Sequence, residues 1–105
     1  MSLRDAATAY LDAAVRQDCG FTRAMTVREE LFAWCTSPTM TSYGDLGGPT
    51  VLTAEQAGGE EEQCVPFRMT STESRDGSMQ AGEQPWSLCF VSTPVGWRVA
   101  NQGQG

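Results

Sequence analysis

Residues 63–92 constrain the fold most strongly, because they predict a β-hairpin with one defined register. Asp76-Gly77 lies between two runs of β-prone residues, and this dipeptide favours a two-residue type I′ turn. Counting outward from the turn pairs Phe67 with Trp86. One face of the hairpin is then mostly apolar, with the residues Val65, Phe67, Met69, Trp86, Leu88 and Phe90. A slip of one residue would move them to the other face, so the turn and the apolar pattern indicate the same register.

The same register predicts a disulfide between Cys64 and Cys89. The two cysteines face each other at a non-hydrogen-bonded position, where Cα atoms lie about 4.5 Å apart, a distance that a disulfide can span. A bulge at Pro66, Gly82 or Pro85 would break the count. The alternative is a pair of buried, unjoined cysteines on neighbouring strands.

The first part of the chain predicts helices. Ser2 can cap a helix that runs to about Gln17, with apolar side chains at helical spacing on one face. The helix is expected to end near Gly20, which suits a left-handed cap. Phe21–Met25 then predicts a single helical turn.

Thr26–Glu29 has the pattern of a capping box and predicts a further helix that ends at Cys35. Cys19 and Cys35 would then lie at the ends of successive helices. This placement predicts a second disulfide that joins the helical corner, although no strand register supports the pairing.

The strands outside the hairpin are short. Thr39–Tyr43 and Thr50–Ala54 each predict one strand. A turn at Thr93–Gly96 leads into a last strand at 97–100, and with Thr93 opposite Gly96 its apolar residues would join the apolar face of the hairpin. A glycine bulge at Gly96 would turn them to the opposite face. Residues 101–105 read as a polar tail.

Charge and residue types exclude several kinds of site. The net charge is −6. The seven basic residues are all arginines, and the chain has no lysine and no histidine. A nucleic-acid or anionic-membrane surface needs a basic patch, so neither partner is expected. The cysteines are too widely spaced for a zinc site, and the acidic run at 60–62 predicts a solvated loop and no calcium site. No metal and no cofactor are expected.

Four cysteines are an even number, and in a small domain they favour disulfides and an oxidising, extracytoplasmic compartment. No signal peptide or membrane-spanning run is present in the sequence. We therefore expect a leader or anchor to have been replaced at Met1–Leu3, or the chain to be one domain of a longer surface protein.

Helices followed by antiparallel strands predict an α+β fold, with N-terminal helices on a curved sheet, as a single domain over residues 1–105. Four stretches, Tyr10–Ala13, Asp18-Cys19, Trp34-Cys35 and above all Gly96–Val99, occur in an order that resembles the nuclear transport factor 2-like superfamily. The four cysteines resemble its secreted bacterial branch of uncharacterised domains. The resemblance implies a cystatin-like cone fold.

In that superfamily the sheet curls around the first helix and leaves an apolar pocket. Mapped onto this chain, the pocket lining would be Tyr10, Phe67, Met69, Trp86, Phe90 and Trp97. The alternative is that these side chains simply fill the core of a small domain. The resemblance also implies a homodimer through the open face of the sheet.

Two functions follow as expectations. The first is a non-catalytic, extracytoplasmic binding or interaction domain for a small apolar ligand or a partner protein. The second is an isomerase, cyclase or dehydratase-like enzyme, which would need an acid and a stabilising hydroxyl inside the pocket. Tyr10, Tyr43 and Asp45 are the residues that could supply them.

Overall fold

The computed structural model describes residues 1–104 and confirms the α+β fold. Helix α1 packs on a five-stranded antiparallel sheet that is not closed into a barrel. The elements in chain order are α1 (Leu3–Val15), α2 (Cys19–Ala24), β1 (Met40–Gly44), β2 (Thr50–Leu52), α3 (Ala54–Ala57), β3 (Glu62–Ser71), β4 (Gly82–Thr93) and β5 (Gly96–Gly103). Within the described residues, no helix is long and apolar enough to cross a membrane.

Helix α1 begins as predicted, because the hydroxyl of Ser2 accepts a hydrogen bond from the backbone N–H of Asp5. Its predicted end is wrong. The left-handed residue is Gln17, with φ of 60°, and Gly20 lies inside α2. Asp18 explains the difference, since its carboxylate caps α2 and the chain must therefore turn before it.

The helix predicted from the capping box at residues 26–35 is absent, and that segment is irregular. Thr26 instead forms an isolated parallel bridge with Val99 of β5. The backbone N–H of Val27 donates to the Val99 carbonyl, and the Val99 N–H donates to the Met25 carbonyl. These bonds use backbone groups that a helix would need, and they cover part of the outer edge of the sheet.

The long strand β3 organises the sheet. Its first half pairs with β2 and its second half with β1, while β4 runs along its other edge and β5 lies beyond β4. The predicted pairs Phe67–Trp86 and Cys64–Cys89 are both present in the β3–β4 ladder. The register derived from the sequence is confirmed.

The turn that was used to derive this register is different from the predicted one. The ladder ends at the Ser71–Gly82 pair, and residues 72–81 form a loop. Within the loop the Gly77 N–H donates to the Ser74 carbonyl, and of the Asp76-Gly77 pair only the glycine has a positive φ. A type I′ turn needs positive φ at both, so that prediction is wrong. The register survives because the loop adds equal numbers of residues to both arms.

Both predicted disulfides are present. Cys64 and Cys89 join β3 to β4 with their Cα atoms 3.9 Å apart. Cys19 and Cys35 have Cα atoms 4.9 Å apart and join the start of α2 to the irregular segment after it. Two disulfides are typical of proteins from oxidising, extracytoplasmic compartments.

The turn at Thr93–Gly96 is confirmed, and Val99 packs in the core opposite Phe90. Beyond this point the β4–β5 register shifts by one residue, because Ala100 forms a bulge. The bulge places Gln102 opposite Leu88, on the core face. The prediction of a polar tail is therefore wrong up to Gly103, where β5 ends.

The connection from β2 to β3 also differs from the prediction. The strand ends at Leu52, and Thr53 caps the short helix α3 with a complete capping box. Glu62 was predicted to lie in a solvated loop, but it begins β3 and is 9% exposed. Successive side chains of a strand point to opposite faces. Glu62 and Cys64 share the outer face of the sheet, because the core residue Val65 points to the other one.

Candidate functional site

The side-chain amide of Gln102 lies at the centre of a buried hydrogen-bond network. Its Oε1 accepts from the indole Nε1 of Trp34 at 2.8 Å and of Trp86 at 3.1 Å. Its Nε2 donates to the Tyr10 hydroxyl at 2.9 Å and to the Phe32 carbonyl at 3.0 Å. An amide group can make four such bonds, so Gln102 is fully satisfied. It connects α1, the irregular segment, β4 and β5 through one side chain.

The backbone is arranged to bring the aromatic partners to Gln102. Trp34 adopts a φ of 60°, a conformation that is rare for a bulky residue and is stable only where its surroundings hold it. Its ring contacts Phe32 and Trp86 edge to face, with ring centroids 4.9 Å and 5.8 Å away. Such contacts favour a fixed arrangement of the rings.

Phe32 and Trp86 of this cluster line a cleft of about 470 Å³ that opens to solvent, which we call the Trp86 cleft. Its lining is Phe32, Ser37, Pro38, Ser74, Arg75, Asp76, Ser78, Met79, Trp86 and Gln102. Phe32, Pro38, Met79 and Trp86 supply the apolar surface, and the loop 72–81 contributes Met79 together with Ser74, Arg75, Asp76 and Ser78. Small-molecule sites commonly combine apolar and aromatic side chains with polar groups in this way.

The rim of the Trp86 cleft, formed by residues 74–78 of the loop, is stabilised by hydrogen bonds to Asp76. Its Oδ1 accepts hydrogen bonds from the hydroxyls of Ser74 at 2.8 Å and Ser78 at 2.7 Å, and from the Ser78 N–H at 3.0 Å. These bonds, chiefly those from Ser78, stabilise the carboxylate and lower the pKa of Asp76 to about 2. The rim therefore carries a fixed negative charge at neutral pH.

Asp76→Ala is expected to lower the melting temperature at pH 7, since the loop loses its main hydrogen-bond acceptor. A lowered pKa stabilises the folded state above the ordinary value of 3.8, and this contribution is lost as the pH falls towards about 2. The difference between the wild type and Asp76→Ala should therefore disappear between pH 4 and pH 2 in thermal melts followed by circular dichroism. Glu73→Ala, at another exposed acid of the loop, is the control. An unchanged difference at pH 2 would contradict the assignment.

The six residues predicted to line a pocket are brought together, chiefly as a core. The five buried ones belong to a single hydrophobic cluster and are Tyr10, Phe67, Met69, Trp86 and Phe90. Trp97 is partly buried and packs against this cluster. Of the six, Trp86 alone lines the Trp86 cleft. The predicted lining thus overlaps with the observed cleft at one residue.

The structure separates the residues predicted for enzyme chemistry. The Tyr10 hydroxyl accepts from Gln102, and burial raises the pKa of Tyr10. The Tyr43 hydroxyl donates to Asp12 Oδ1 at 2.6 Å, and burial with this neighbouring carboxylate raises the pKa of Tyr43 to about 12. Asp45 is exposed at the end of β1. The two tyrosines thus belong to different hydrogen-bond networks.

The outer face of the sheet carries the Cys64–Cys89 disulfide at a second cleft of about 450 Å³. Leu52 and Pro66 contribute apolar surface there. This is the sheet face through which a homodimer is predicted, and dimerisation stays a prediction.

Gln102 is the site residue that the sequence analysis missed. A bulge at Ala100 leaves no mark in the residue pattern, so the count along β5 cannot place Gln102 on the core face. One usable signal was available: a buried tryptophan N–H group needs a hydrogen-bond acceptor, and the rest of the core is apolar. That need predicts a buried polar side chain without identifying it.

A comparison with family models, curated proteins and solved structures found no match to this chain. The resemblance to nuclear transport factor 2-like domains therefore stays a prediction. The basis for a functional assignment is the Trp86 cleft. It combines the aromatic side chains of Phe32 and Trp86, the fully hydrogen-bonded amide of Gln102, and the charged residues Arg75 and Asp76.

Proposed function

We propose that the protein is a non-catalytic, extracytoplasmic binding domain that takes a small, mainly apolar ligand in the Trp86 cleft. The observation that carries this proposal is the combination of apolar lining side chains with an amide, that of Gln102, which has no free hydrogen-bonding position. Such an amide stabilises the shape of the cleft and leaves the ligand mainly apolar contact. The two disulfides support the extracytoplasmic placement.

The alternative of an isomerase-like enzyme finds less support in the cleft. General acid–base catalysis works best with a group whose pKa lies near the working pH. The ionisable side chains that line the Trp86 cleft are Arg75 and Asp76, and the pKa of Asp76 is about 2. At neutral pH this carboxylate is fully ionised and is a weak base. We therefore favour binding over catalysis.

Titration with 1-octanol tests the proposal by NMR. The indole N–H signals of Trp34 and Trp86 both report on Gln102 Oε1 and should shift together as the cleft fills, whereas the indole of Trp97 should not. Met79→Glu places a charge in the apolar wall and is expected to weaken binding at least tenfold. Gln80→Glu adds the same charge at the next, exposed residue and serves as the matched control.

Thermal melts of both variants show whether they are folded before binding is compared. Equal binding by Met79→Glu and Gln80→Glu would contradict the proposal. So would octanol shifts confined to residues around Cys64 and Cys89, which would place the ligand on the outer face.

A further inference from the structure

Glu62 carries a buried carboxyl oxygen with no partner. The side chain is 9% exposed, and within residues 1–104 its Oε1 is the one buried side-chain nitrogen or oxygen atom that makes no hydrogen bond. Buried polar atoms are nearly always paired, since an unpaired acceptor has lost its water without compensation. Burial accordingly raises the pKa of Glu62. The arrangement is one that a bound hydrogen-bond donor would complete.

Glu62 lines a cleft of about 580 Å³ on the outer side of the sheet, which we call the Glu62 cleft. Its apolar lining residues are Val27 and Leu31 from the irregular segment, Ala57 from α3 and Val91 from β4. The cleft is therefore apolar along much of its wall. It is separate from the Trp86 cleft and shares no lining residue with it.

The charged groups at the Glu62 cleft favour a cation. Glu60 adds a second carboxylate to the lining. Arg28 also lines the cleft, but it is exposed and its Nε is paired with the Glu30 carboxylate at 3.3 Å. The net charge of −6 attracts cations to the whole molecule.

A metal ion is a poor match for this position. Within the described residues, the potential metal ligands grouped within 4.8 Å of the Glu62 carboxyl are the sulfurs of Cys64 and Cys89, which are joined to each other. A cysteine sulfur binds a metal ion as a thiolate, and a disulfide offers none, so Glu62 is the one ligand left in this group. An organic cation needs only the carboxylate oxygen and the apolar wall.

We propose that the Glu62 cleft binds an ammonium or guanidinium group at the end of a short aliphatic chain. The cationic group would donate to Glu62 Oε1, and the aliphatic part would lie against Val91 and Leu31. A free amine and a lysine or arginine side chain share this chemistry. Binding would also favour the ionised form of Glu62 and so lower its raised pKa.

Titration with butylamine hydrochloride at pH 7 tests this proposal, with the backbone amide signals of Glu62, Val91 and Asn101 as the readout. Binding in the millimolar range with shifts at these residues is expected, and butanol of the same length should give shifts at least tenfold weaker. Glu62→Gln should weaken binding at least tenfold. Glu61→Gln removes the same charge from the adjacent exposed residue and should change the affinity less than twofold.

A second variant guards against an indirect effect of changing Glu62. Ala57→Trp fills the cleft, keeps the carboxylate and should also abolish binding. Equal affinities for butylamine and butanol, or an unchanged affinity in Glu62→Gln, would overturn the proposal. Tighter binding of the tripeptide Gly-Lys-Gly than of butylamine would support the proposal with a protein side chain as the source of the cation, and the reverse order would support it with a free amine. Because the reporter residues lie outside the Trp86 cleft, this result is independent of the octanol titration.

Discussion

Gln102→Leu is expected to lower the free energy of unfolding by about 4 kcal/mol, since several buried groups lose their partners at once. Leucine fills much of the same volume but cannot accept from the indoles of Trp34 and Trp86 or donate to the Phe32 carbonyl. Each buried group left unpaired costs about 1–3 kcal/mol, with shared relaxation reducing the total. Urea denaturation followed by tryptophan fluorescence measures the loss.

Gln104→Leu is the matched control, because it makes the same change two residues later on an exposed side chain. Its effect should stay within about 0.5 kcal/mol. Gln102→Glu separates the two halves of the network, since a carboxylate still accepts from the indoles but no longer donates to Phe32. A loss below about 1 kcal/mol in Gln102→Leu, near the net value of a single hydrogen bond, would show that the network does not organise the fold.

Removal of both disulfides is expected to leave the chain largely unfolded near physiological temperature. The linked cysteines are 16 and 25 residues apart, and loops of this size contribute about 3 kcal/mol each by restricting the unfolded chain. Together this is a large share of the about 5–15 kcal/mol that stabilises a typical domain. Thermal melts of the protein before and after treatment with a phosphine reductant measure the change.

Single removals distinguish the two bonds. Alanine at both Cys64 and Cys89 should cost slightly more than alanine at both Cys19 and Cys35, since the closed loop is longer. Each pair of substitutions should lower the melting temperature by roughly 15 °C, from about 4–8 °C per kcal/mol in a domain of this size. A reduced protein that melts within a few degrees of the oxidised one would show that noncovalent packing is sufficient.

The sheet was the part of the fold that the sequence predicted best. Alternation along β3 and β4 requires Phe67 and Trp86 to share a face, and a slip of one residue would break this arrangement. This constraint acts over the whole length of two strands, so it held even though the turn at Asp76-Gly77 was predicted wrongly. The register depends on many residues of both strands, so an error at one turn does not change it.

The helical prediction after Thr26 failed for the opposite reason. A capping box is a local signal of a few residues, and pairing of Thr26 with Val99, which is distant in the chain, outweighed it. The same holds for the candidate site. Gln102 reaches the core through a bulge at Ala100, and neither the Trp86 cleft nor its rim follows from a count along one strand.

The order of the cysteines along the chain has a consequence for oxidative folding. The loop closed by Cys19 and Cys35 ends before the loop closed by Cys64 and Cys89 begins, so neither bond threads through the other. Of the three ways to join four cysteines, the native one links nearest neighbours in sequence. Each bond can therefore form inside its own segment, in either order, without first undoing the other. A nascent chain that emerges into an oxidising compartment can close its first link before the hairpin has been synthesised.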